Sequence, residues 1–364
     1  MRFITKKLLT LAALLTPAIA GAEEPADSTK DEFQRLSAVP IVGYTEETQY
    51  QLGAMAILFF KPDFPGGNVH ELDLSFYGTS RNQVTGSISP KFFFLNDRIS
   101  SDIDLHYEDW VGNYFGSGND PDYDDFRKFD RKSFYFTALV ETNFGTLEWV
   151  PSFKYGLFLE LNNTQIEFQS YTGKLQKPTN INGWRNGMGY HLSFDTRDNT
   201  NWARHGYLVQ WGQYFYNTAL SDFGYTHQEL DLRGYSEFIW NTSMAVGFLW
   251  QRVDGDVPFD KLAGSDGLKR FRGVEKNYFC GNQAIFLQVE FRKKLFWRLA
   301  GDIFFEGGKT GDYFSDLMRN KWHRSVGFGG RFALNQKENL YARCELSWVD
   351  FKHVGMTMYV RDAF

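Results

Sequence analysis

One arginine and two acids in the last third of the chain have the residue types needed for a buried ion-pair site. Arg272 and Gly273 lie in a turn-rich segment, and Glu290 and Glu306 lie in the next two runs of alternating apolar and polar residues. A planar guanidinium can pair with two carboxylates, and pairing makes a charge tolerable away from water. The spacing predicts a latch that holds the Arg272 segment, with a solvated loop arginine as the alternative.

The two alternating runs indicate β-strands that would place both acids on one face. Every second side chain of residues 285–292 is apolar, and Glu290 belongs to the polar set. In residues 298–308, Glu306 belongs to the polar set in the same way. Since successive side chains of a strand point to opposite faces, both acids point away from the apolar face. We expect lipid on the apolar face and an enclosed lumen on the other.

Similar alternation along the whole chain predicts a membrane barrel. Aromatic residues make up 18% of the 364 residues and charged residues 23%, as in strands that are apolar on one side and bordered by aromatic belts. We predict an all-β fold, a transmembrane antiparallel β-barrel of 16 strands with an inward-folded sixth outer loop. An even strand number leaves no unpaired edge in lipid. The predicted long loops are 109–131, 161–187 and 254–282.

The start of the chain predicts export. Residues 1–22 combine basic residues, an apolar core and a small-residue end, as secretory signal peptides do. No later apolar run reaches about eighteen residues, which argues against a membrane-spanning helix. We expect cleavage of this signal peptide, a short periplasmic tail at 23–35, and a barrel at 36–364 in the bacterial outer membrane.

The composition limits the possible classes of function. The formal net charge is −5, and no basic patch or lysine and arginine run of the kind that nucleic acid requires occurs, so nucleic-acid binding is not expected. The two cysteines give no disulfide framework, and the seven histidines are scattered singly. We therefore predict no cofactor and no metal site of the zinc type.

One pair of residues has the spacing of a base and a nucleophile. His191 and Ser193 are similar to the His-x-Ser pair of outer-membrane phospholipase. Their neighbours Tyr190, Leu192 and Phe194 form the apolar face, so the pair faces the lumen, away from acyl chains. We predict no catalytic residue and no enzymatic activity.

Five aspartates between 120 and 130, inside the predicted loop 109–131, could supply oxygen ligands for calcium. A proline and a tyrosine interrupt their spacing, and no closing glutamate follows at the distance of a calcium-binding loop. The sequence favours a solvated acidic loop and leaves calcium binding open. The aspartates are Asp120, Asp122, Asp124, Asp125 and Asp130.

The arginine segment and the acids after it resemble motifs of the bacterial surface antigen superfamily. This group comprises BamA/TamA-like outer-membrane assembly factors and two-partner secretion barrels. Residues 271–274, FRGV, are similar to the V-R-G-F/Y motif of the sixth outer loop, and residues 304–308, FFEGG, to the F-x-D-x-G motif. Glu290 matches a second acid of the family. The resemblance implies a latch inside the lumen formed by Phe271, Arg272, Gly273, Glu290, Glu306 and Gly308.

Two further segments resemble the same family. A D-T-R-D turn followed by a strand-opening glycine has a structural role, because such residues favour tight turns. The last strand resembles the signal by which barrel strands are recognised for insertion. The turn motif consists of Asp195, Arg197, Asp198 and Gly206, and the insertion signal of Gly355, Met358, Val360 and Phe364.

The resemblance also implies a function and partners. Family members carry periplasmic POTRA modules before the barrel, and we expect a member without them here. The leading hypothesis is assistance in inserting or remodelling outer-membrane components. The alternatives are a gated translocation pore or transporter, and a passive surface barrel that binds external partners. Expected partners are outer-membrane lipid, a separate periplasmic protein or lipoprotein, and the barrel assembly machinery for the chain's own insertion.

Overall fold

The structure is a computed structural model, and it describes residues 35–45, 49–62, 64–65, 67–144, 152–179 and 181–361. The predicted signal peptide, nearly all of the predicted tail and the terminal Phe364 lie outside the described residues. No helix among the residues described has the length and apolar character to cross a membrane.

The described residues form an all-β structure of nineteen strands, of which seventeen belong to one antiparallel sheet. The first ten are β1 Leu36–Thr45, β2 Gln49–Phe60, β3 His70–Thr79, β4 Val84–Phe94, β5 Ile99–Tyr114, β6 Arg127–Thr142, β7 Phe153–Phe168, β8 Gly183–Trp184, β9 Gly187–Asp195 and β10 Gly206–Tyr216. The others are β11 Tyr225–Glu237, β12 Ser243–Gly255, β13 Ala263–Gly264, β14 Cys280–Gly281, β15 Gln283–Phe296, β16 Leu299–Gly311, β17 His323–Asn335, β18 Leu340–Val349 and β19 His353–Val360.

Three short elements lie in connections between strands. Helix α1 covers Phe314–Arg319, and two 3-10 turns cover Ile239–Asn241 and Phe259–Lys261. Strands β13 and β14 pair with each other inside the loop that connects β12 to β15, and Cys280 of β14 also forms an isolated bridge with Gly118. This connection, residues 256–282, is called the latch loop below.

The sheet is a meander in which each long strand pairs with its sequence neighbours. In β15 and β16, Glu290 is opposite Phe304 and Gln288 is opposite Glu306. Their side chains alternate as the sequence predicts: Leu287 is 43% exposed whereas Glu290 is fully buried. The face with Glu290 and Glu306 is called the inner face, and the opposite face the outer face.

The latch loop packs against the inner face. Phe271 and Phe279 are fully buried and join Phe286 of β15 in one apolar cluster, which also includes Leu249 of β12 and Val349 of β18. The rings of Phe271 and Phe279 meet edge to face, with centroids 4.8 Å apart. The main apolar core is therefore built around the loop and not between two sheets.

The first and last strands, β1 and β19, are the two edges of the sheet, and the boundary between them is called the seam. No backbone ladder joins β1 to β19 among the described residues. Arg361, directly after β19, instead contacts Glu71 and Asp73 of β3 at 2.7 and 2.8 Å. The 16-strand closed barrel remains a prediction, because hydrogen bonds between these two edges would be needed to close the sheet.

Two predicted loops are shorter in the structure because the strands beside them are longer. Strands β5 and β6 stay paired as far as Tyr114 opposite Arg127, so the prediction of a loop at 109–131 was wrong at both ends. Charge pairs support this extension, with Arg131 2.8 Å from Glu108. The predicted loop 161–187 begins only after Phe168, since β7 and β6 stay paired as far as Phe168 opposite Phe129.

Candidate functional site

Arg272 of the latch loop binds three carboxylates on the inner face. Its Nε donates to Glu306 Oε1 at 2.7 Å, and its Nη1 donates to Glu290 Oε2 at 2.6 Å and to Glu345 Oε1 at 3.0 Å. The backbone N–H of Arg272 also donates to Glu306 Oε2 at 2.5 Å. Because all four side chains are fully buried, these contacts are screened little by water.

The backbone on either side of Arg272 is shaped to reach this position. Gly273 has φ +96°, which favours glycine, and a Cβ there would lie 2.6 Å from Ser347. Phe271 also has a positive φ, of 62°, and its buried ring passes over Gly308, where a Cβ would lie 3.0 Å from it. The two glycines therefore admit the loop close to the sheet.

The guanidinium of Arg272 also stacks on an aromatic ring. Its Cζ lies 3.5 Å from the ring centroid of Phe304, which is fully buried on β16. A cation over a ring face is attracted by the ring's quadrupole, and more strongly where water is absent. Ser325 adds a hydrogen bond to the carbonyl of Arg272 at 2.7 Å. Side chain and backbone of Arg272 are both fixed.

The latch belongs to a larger network in which four guanidiniums face four carboxylates. Arg331 donates to Glu290 at 2.5 Å and to Asp302 at 2.7 Å, and Arg343 donates to Glu345 at 2.7 Å. The formal charges cancel, which is what allows fully buried ions to persist. The network, here called the arginine core, consists of Arg272, Arg292, Arg331, Arg343, Glu290, Glu306, Glu345 and Asp302.

Three acids of the arginine core lie close enough together to suggest a metal site. Ligand oxygens of Glu290, Asp302 and Glu345 lie within 4.8 Å of one another. Arg331 and Arg343 already donate to these carboxylates, so a cation entering there would face two guanidiniums at contact distance. The donor set is that of an ion-pair network.

A second anchor holds the segment just before the arginine. The carboxylate of Asp266 accepts the backbone N–H groups of Leu268, Lys269 and Arg270 at 2.7–2.9 Å, which fixes a tight turn. Arg270 then donates to Asp231 of β11 at 2.5 Å. This anchor lies beside the arginine core.

A third anchor attaches the start of the latch loop to β7 and β8. Lys261 donates to Glu160 at 2.6 Å, and Arg185 donates to Asp260 at 3.1 Å. Glu160 also accepts from the hydroxyl of Tyr216 at 2.6 Å. The loop is thus tied to strands on both sides of β10 to β12, and it spans the inner face.

The last strand touches the latch loop directly. A Cβ at Gly355 would lie 2.1 Å from the carbonyl oxygen of Gly273. Gly355, which the sequence assigns to an insertion signal, therefore also makes room for the loop. Met358 and Val360 are half-buried on the alternate side of the strand, and Val360 packs against a cluster with Ile57.

The predicted turn motif forms a compact structural unit. Arg197 donates to both oxygens of Asp195 at 2.9 and 2.7 Å. Asp198 accepts the backbone N–H of Arg204 at 2.8 Å. Gly206 has φ +105°, and a Cβ there would lie 2.3 Å from the carbonyl of Thr196. These contacts hold the turn, and Ala203 within it accepts a hydrogen bond from Arg292 of the arginine core at 3.4 Å.

His191 and Ser193 both contact a carboxylate. Ser193 Oγ donates to Glu141 Oε1 at 2.7 Å, and His191 Nδ1 lies 2.9 Å from the same oxygen. Both residues are buried on the inner face. The hydroxyl is thus directed to the acid and not to the imidazole, whereas an activated nucleophile would donate to its base.

The acids of the shortened loop 115–126 contact separate partners. Asp120 pairs with Lys321 at 2.8 Å, Asp122 accepts the backbone N–H of Asp124 at 3.0 Å, and Asp125 accepts the hydroxyl of Tyr171. Asp130 lies on β6 and not in the loop. Calcium binding remains untested.

The latch loop contains one buried thiol. Cys280 is 2% exposed and lies against Gly118 of loop 115–126 through an isolated backbone bridge. Burial raises the pKa of the Cys280 thiol to about 12, because a thiolate would lose its hydration there. The other cysteine, Cys344, is half-buried on the outer face of β18.

No protein-family model and no curated protein sequence matches this chain. Among solved structures, BamA from Haemophilus ducreyi lacking POTRA domains 1-3 aligns with 93% of this chain and 73% of that chain, at 13% identity and a TM-score of 0.55. CdiB from Escherichia coli aligns with 91% of this chain at 11% identity and a TM-score of 0.57. The fold is similar to that of BamA and CdiB.

CdiB from Acinetobacter baumannii gives the same result, with 89% of this chain covered at 10% identity and a TM-score of 0.52. This chain spans 63% of the Escherichia coli CdiB and 59% of the Acinetobacter baumannii CdiB. At such low identity the likeness concerns the fold alone.

Sequence reasoning missed five of the eight members of the arginine core. The structure brings together Arg272, Glu290 and Glu306, which the spacing singled out, but it adds Glu345 and Arg331 from later strands. Their signal was present as charged residues on the inward parity of two apolar strands, where an unpaired charge would be costly. The missed members are Glu345, Arg331, Arg343, Arg292 and Asp302.

Proposed function

We propose that this chain is a bacterial outer-membrane β-barrel that helps to insert or remodel outer-membrane components at its seam. Residues 1–22 would direct export, 23–35 would lie in the periplasm, and 36–364 would form the closed barrel. The observation that carries the proposal is that no backbone ladder joins β1 to β19 among the described residues, while Arg361 after β19 contacts Glu71 and Asp73 of β3, two strands in from β1. The fold likeness to BamA and CdiB supports it.

The physical basis is that the seam opens at low cost. Arg361 is 29% exposed and Asp73 is 26% exposed, so water screens part of their attraction. Opening any other strand pair would also break a ladder of backbone hydrogen bonds, which lipid cannot replace. An open edge in a bilayer offers unpaired backbone groups to an incoming strand and disturbs lipid order.

The proposal involves no covalent chemistry and no cofactor. We propose that the chain is not an enzyme, because the hydroxyl of Ser193 is directed to Glu141 and not to the imidazole of His191. A client would reach the seam by way of a separate periplasmic protein or lipoprotein, with outer-membrane lipid as the other contact.

A reversible staple across the seam tests this function. Cysteines replace Arg361 and Asp73 in a Cys344→Ser background, and a bifunctional thiol reagent with a reducible spacer joins them in cells that lack the natural chain. We expect the levels of other outer-membrane barrels to fall when the staple is closed and to recover on reduction. The matched control is a staple between Leu74 and Ile88, which already pair within β3 and β4.

Depletion of the chain is the second test of the assembly role, and it can exclude that role. If other outer-membrane barrels keep their levels when the chain is removed, an assembly role is excluded.

A gated pore is the second candidate, favoured by the latch loop. The loop fills the inner face and is held there by the arginine core, so its release would clear a path. In planar bilayers the wild-type chain should conduct little, and Arg272→Ala should conduct more. Unchanged conductance together with unchanged protease sensitivity of residues 256–282 would exclude the pore.

A further inference from the structure

A cleft of about 230 Å³ opens at the end of the sheet where the latch loop begins and ends. It is called the rim cleft below. Arg324 points to the outer face, since it is exposed while His323 and Ser325 on either side are buried. The cleft is lined by Lys321, Trp322, Arg324, Asp350, Phe351 and Lys352.

The rim cleft has an excess of positive charge. It contains three cations and one acid, Asp350, which is already engaged. One oxygen of Asp350 lies 2.6 Å from His323 Nδ1, and the other accepts the backbone N–H of Arg324 at 2.9 Å. Arg324 and Lys352 form no ion pair among the described residues. The cleft therefore attracts an anion from outside the chain.

The third cation, Lys321, is only weakly engaged. It pairs with Asp120 at 2.8 Å, but both side chains are more than half exposed, at 57% and 68%. Such surface pairs contribute little and exchange readily. Lys321 can therefore turn to an anion in the cleft at small cost.

Two aromatic rings, those of Trp322 and Phe351, also line the rim cleft. Trp322 lies over the ammonium of Lys309, whose Nζ is 4.8 Å from its ring centroid. Phe351 is 76% exposed at the tip of the hairpin between β18 and β19, with φ +54°. A large ring at this dihedral is unusual, because asparagine or glycine fits it with less strain. Exposed rings next to cations are typical of the boundary between lipid tails and headgroups.

The outer face below the cleft continues this pattern. Phe328 and Trp348 lie on β17 and β18 with ring centroids 5.8 Å apart, and both are at least 40% exposed. The cations of the rim cleft therefore lie next to an apolar, aromatic part of the outer face. A molecule with phosphate at its head and acyl chains below it would complement both parts.

We propose that the rim cleft binds the phosphorylated sugar headgroup of an outer-leaflet glycolipid. Arg324 and Lys352 contact one phosphate, Lys321 turns to the same headgroup, and Phe351 and Trp322 cover the sugar and the start of the acyl chains. Arginine and lysine are the side chains that bind phosphate best. This inference rests on the proposed placement in the outer membrane, with the latch-loop end outward.

Native mass spectrometry of the full chain in detergent tests the site with bisphosphorylated lipid A as the probe. The double variant Arg324→Gln with Lys352→Gln should bind it at least about tenfold more weakly, since each charge-assisted hydrogen bond has about that effect. Lipid A from which both phosphates have been removed should bind the wild type as weakly as intact lipid A binds the double variant. The control is Lys293→Gln, an exposed lysine at the opposite end of β15, which should bind like the wild type.

Three results would overturn the inference. The double variant could bind like the wild type, or dephosphorylated lipid A could bind as well as the phosphorylated form. Displacement by millimolar inorganic phosphate, without preference for the lipid, would identify a free-anion site instead. Each variant is first checked for an unchanged unfolding temperature.

This failure can be distinguished from a failure of the proposed function. The seam staple reports on other barrels and leaves the rim cleft intact, whereas the double variant leaves the seam intact. If the chain binds lipid A but its depletion leaves other barrels unchanged, the rim cleft is a lipid site and the assembly role is excluded. If depletion lowers the levels of other barrels but the chain does not bind lipid A, the assembly role stands and the lipid site is excluded.

Discussion

The latch and the seam use the same chemistry with opposite consequences. At each, one guanidinium contacts carboxylates at 2.6–3.0 Å: Arg272 with Glu290, Glu306 and Glu345, and Arg361 with Glu71 and Asp73. The Arg272 side chain is fully buried whereas that of Arg361 is 29% exposed. Burial decides how much free energy is lost when an ion pair is broken. The latch loop is therefore held firmly, while the contacts of Arg361 can break at low cost.

The largest effect is expected from Arg272→Ala. Removal of one partner leaves buried carboxylates without their cation, which costs roughly 3–5 kcal/mol of unfolding free energy where water stays out. Urea unfolding of the refolded chain, followed by gel mobility and circular dichroism, measures the change. Protease cleavage within residues 256–282 should appear at the same time.

Arg252→Ala is the matched control, because this arginine pairs with Asp254 at the surface, with side chains 47% and 69% exposed. It should change the unfolding free energy by less than about 1 kcal/mol. Equal effects of the two substitutions would refute the contrast between buried and exposed pairs.

A smaller loss is expected from Gly355→Ala. The added Cβ would lie 2.1 Å from the carbonyl oxygen of Gly273, so β19 or the latch loop must shift. Such overpacking typically costs about 1–3 kcal/mol. Gly330→Ala is the comparison, since nothing lies within 4 Å of its added Cβ. If both variants unfold at the same urea concentration, β19 does not depend on the loop.

Arg361→Gln should lower global stability by about 1 kcal/mol or less, because its pairs are partly exposed. The local effect should be larger, with faster hydrogen exchange of backbone amides in β2 and β19. Arg204→Gln removes a comparably exposed pair, with Glu237 at 2.7 Å, at a turn away from the seam. Exchange at the seam that is equally fast in both variants would contradict the proposed role of Arg361.

The smallest effect is expected in the reaction of Cys280 with thiol reagents in the intact chain. Its raised pKa keeps the thiol protonated at pH 8, and burial blocks access. Labelling should remain slow at pH 8 in wild type and become fast in Arg272→Ala, whose loop is released. Cys344→Ser removes the other thiol from the measurement. Rapid labelling of wild type at pH 8 would mean that the loop is not held.

The sequence predicts the strands well because period-two alternation is a local property. The alternation predicts the first four strands at 36–44, 49–60, 69–78 and 83–95, and β1 to β4 lie within one residue of these bounds. The prediction of a loop at 109–131 was wrong because the sequence there does not alternate between apolar and polar residues. The backbones of β5 and β6 still pair, with Trp110 opposite Arg131 and Asp109 opposite Lys132. Where neither face of a strand packs against apolar groups, the sequence need not alternate, although the backbone hydrogen bonds to the neighbouring strand continue.

The candidate site could be predicted only in part, for a physical reason. Arg272 and its two acids are close in sequence and follow one rule of strand parity. Glu345 reaches Arg272 only because β18 stands two strands away from β16 in the meander, and that register depends on the whole sheet. Gly355 was assigned to a terminal signal because nothing local shows that a loop passes beneath it.

The contact between Gly273 and Gly355 ties the end of the chain to its interior. Neither residue has a side chain, so the last strand can approach the backbone of the latch loop at this point. A side chain at Gly355 would meet that loop, so this one position sets how closely the end of the chain packs onto its middle.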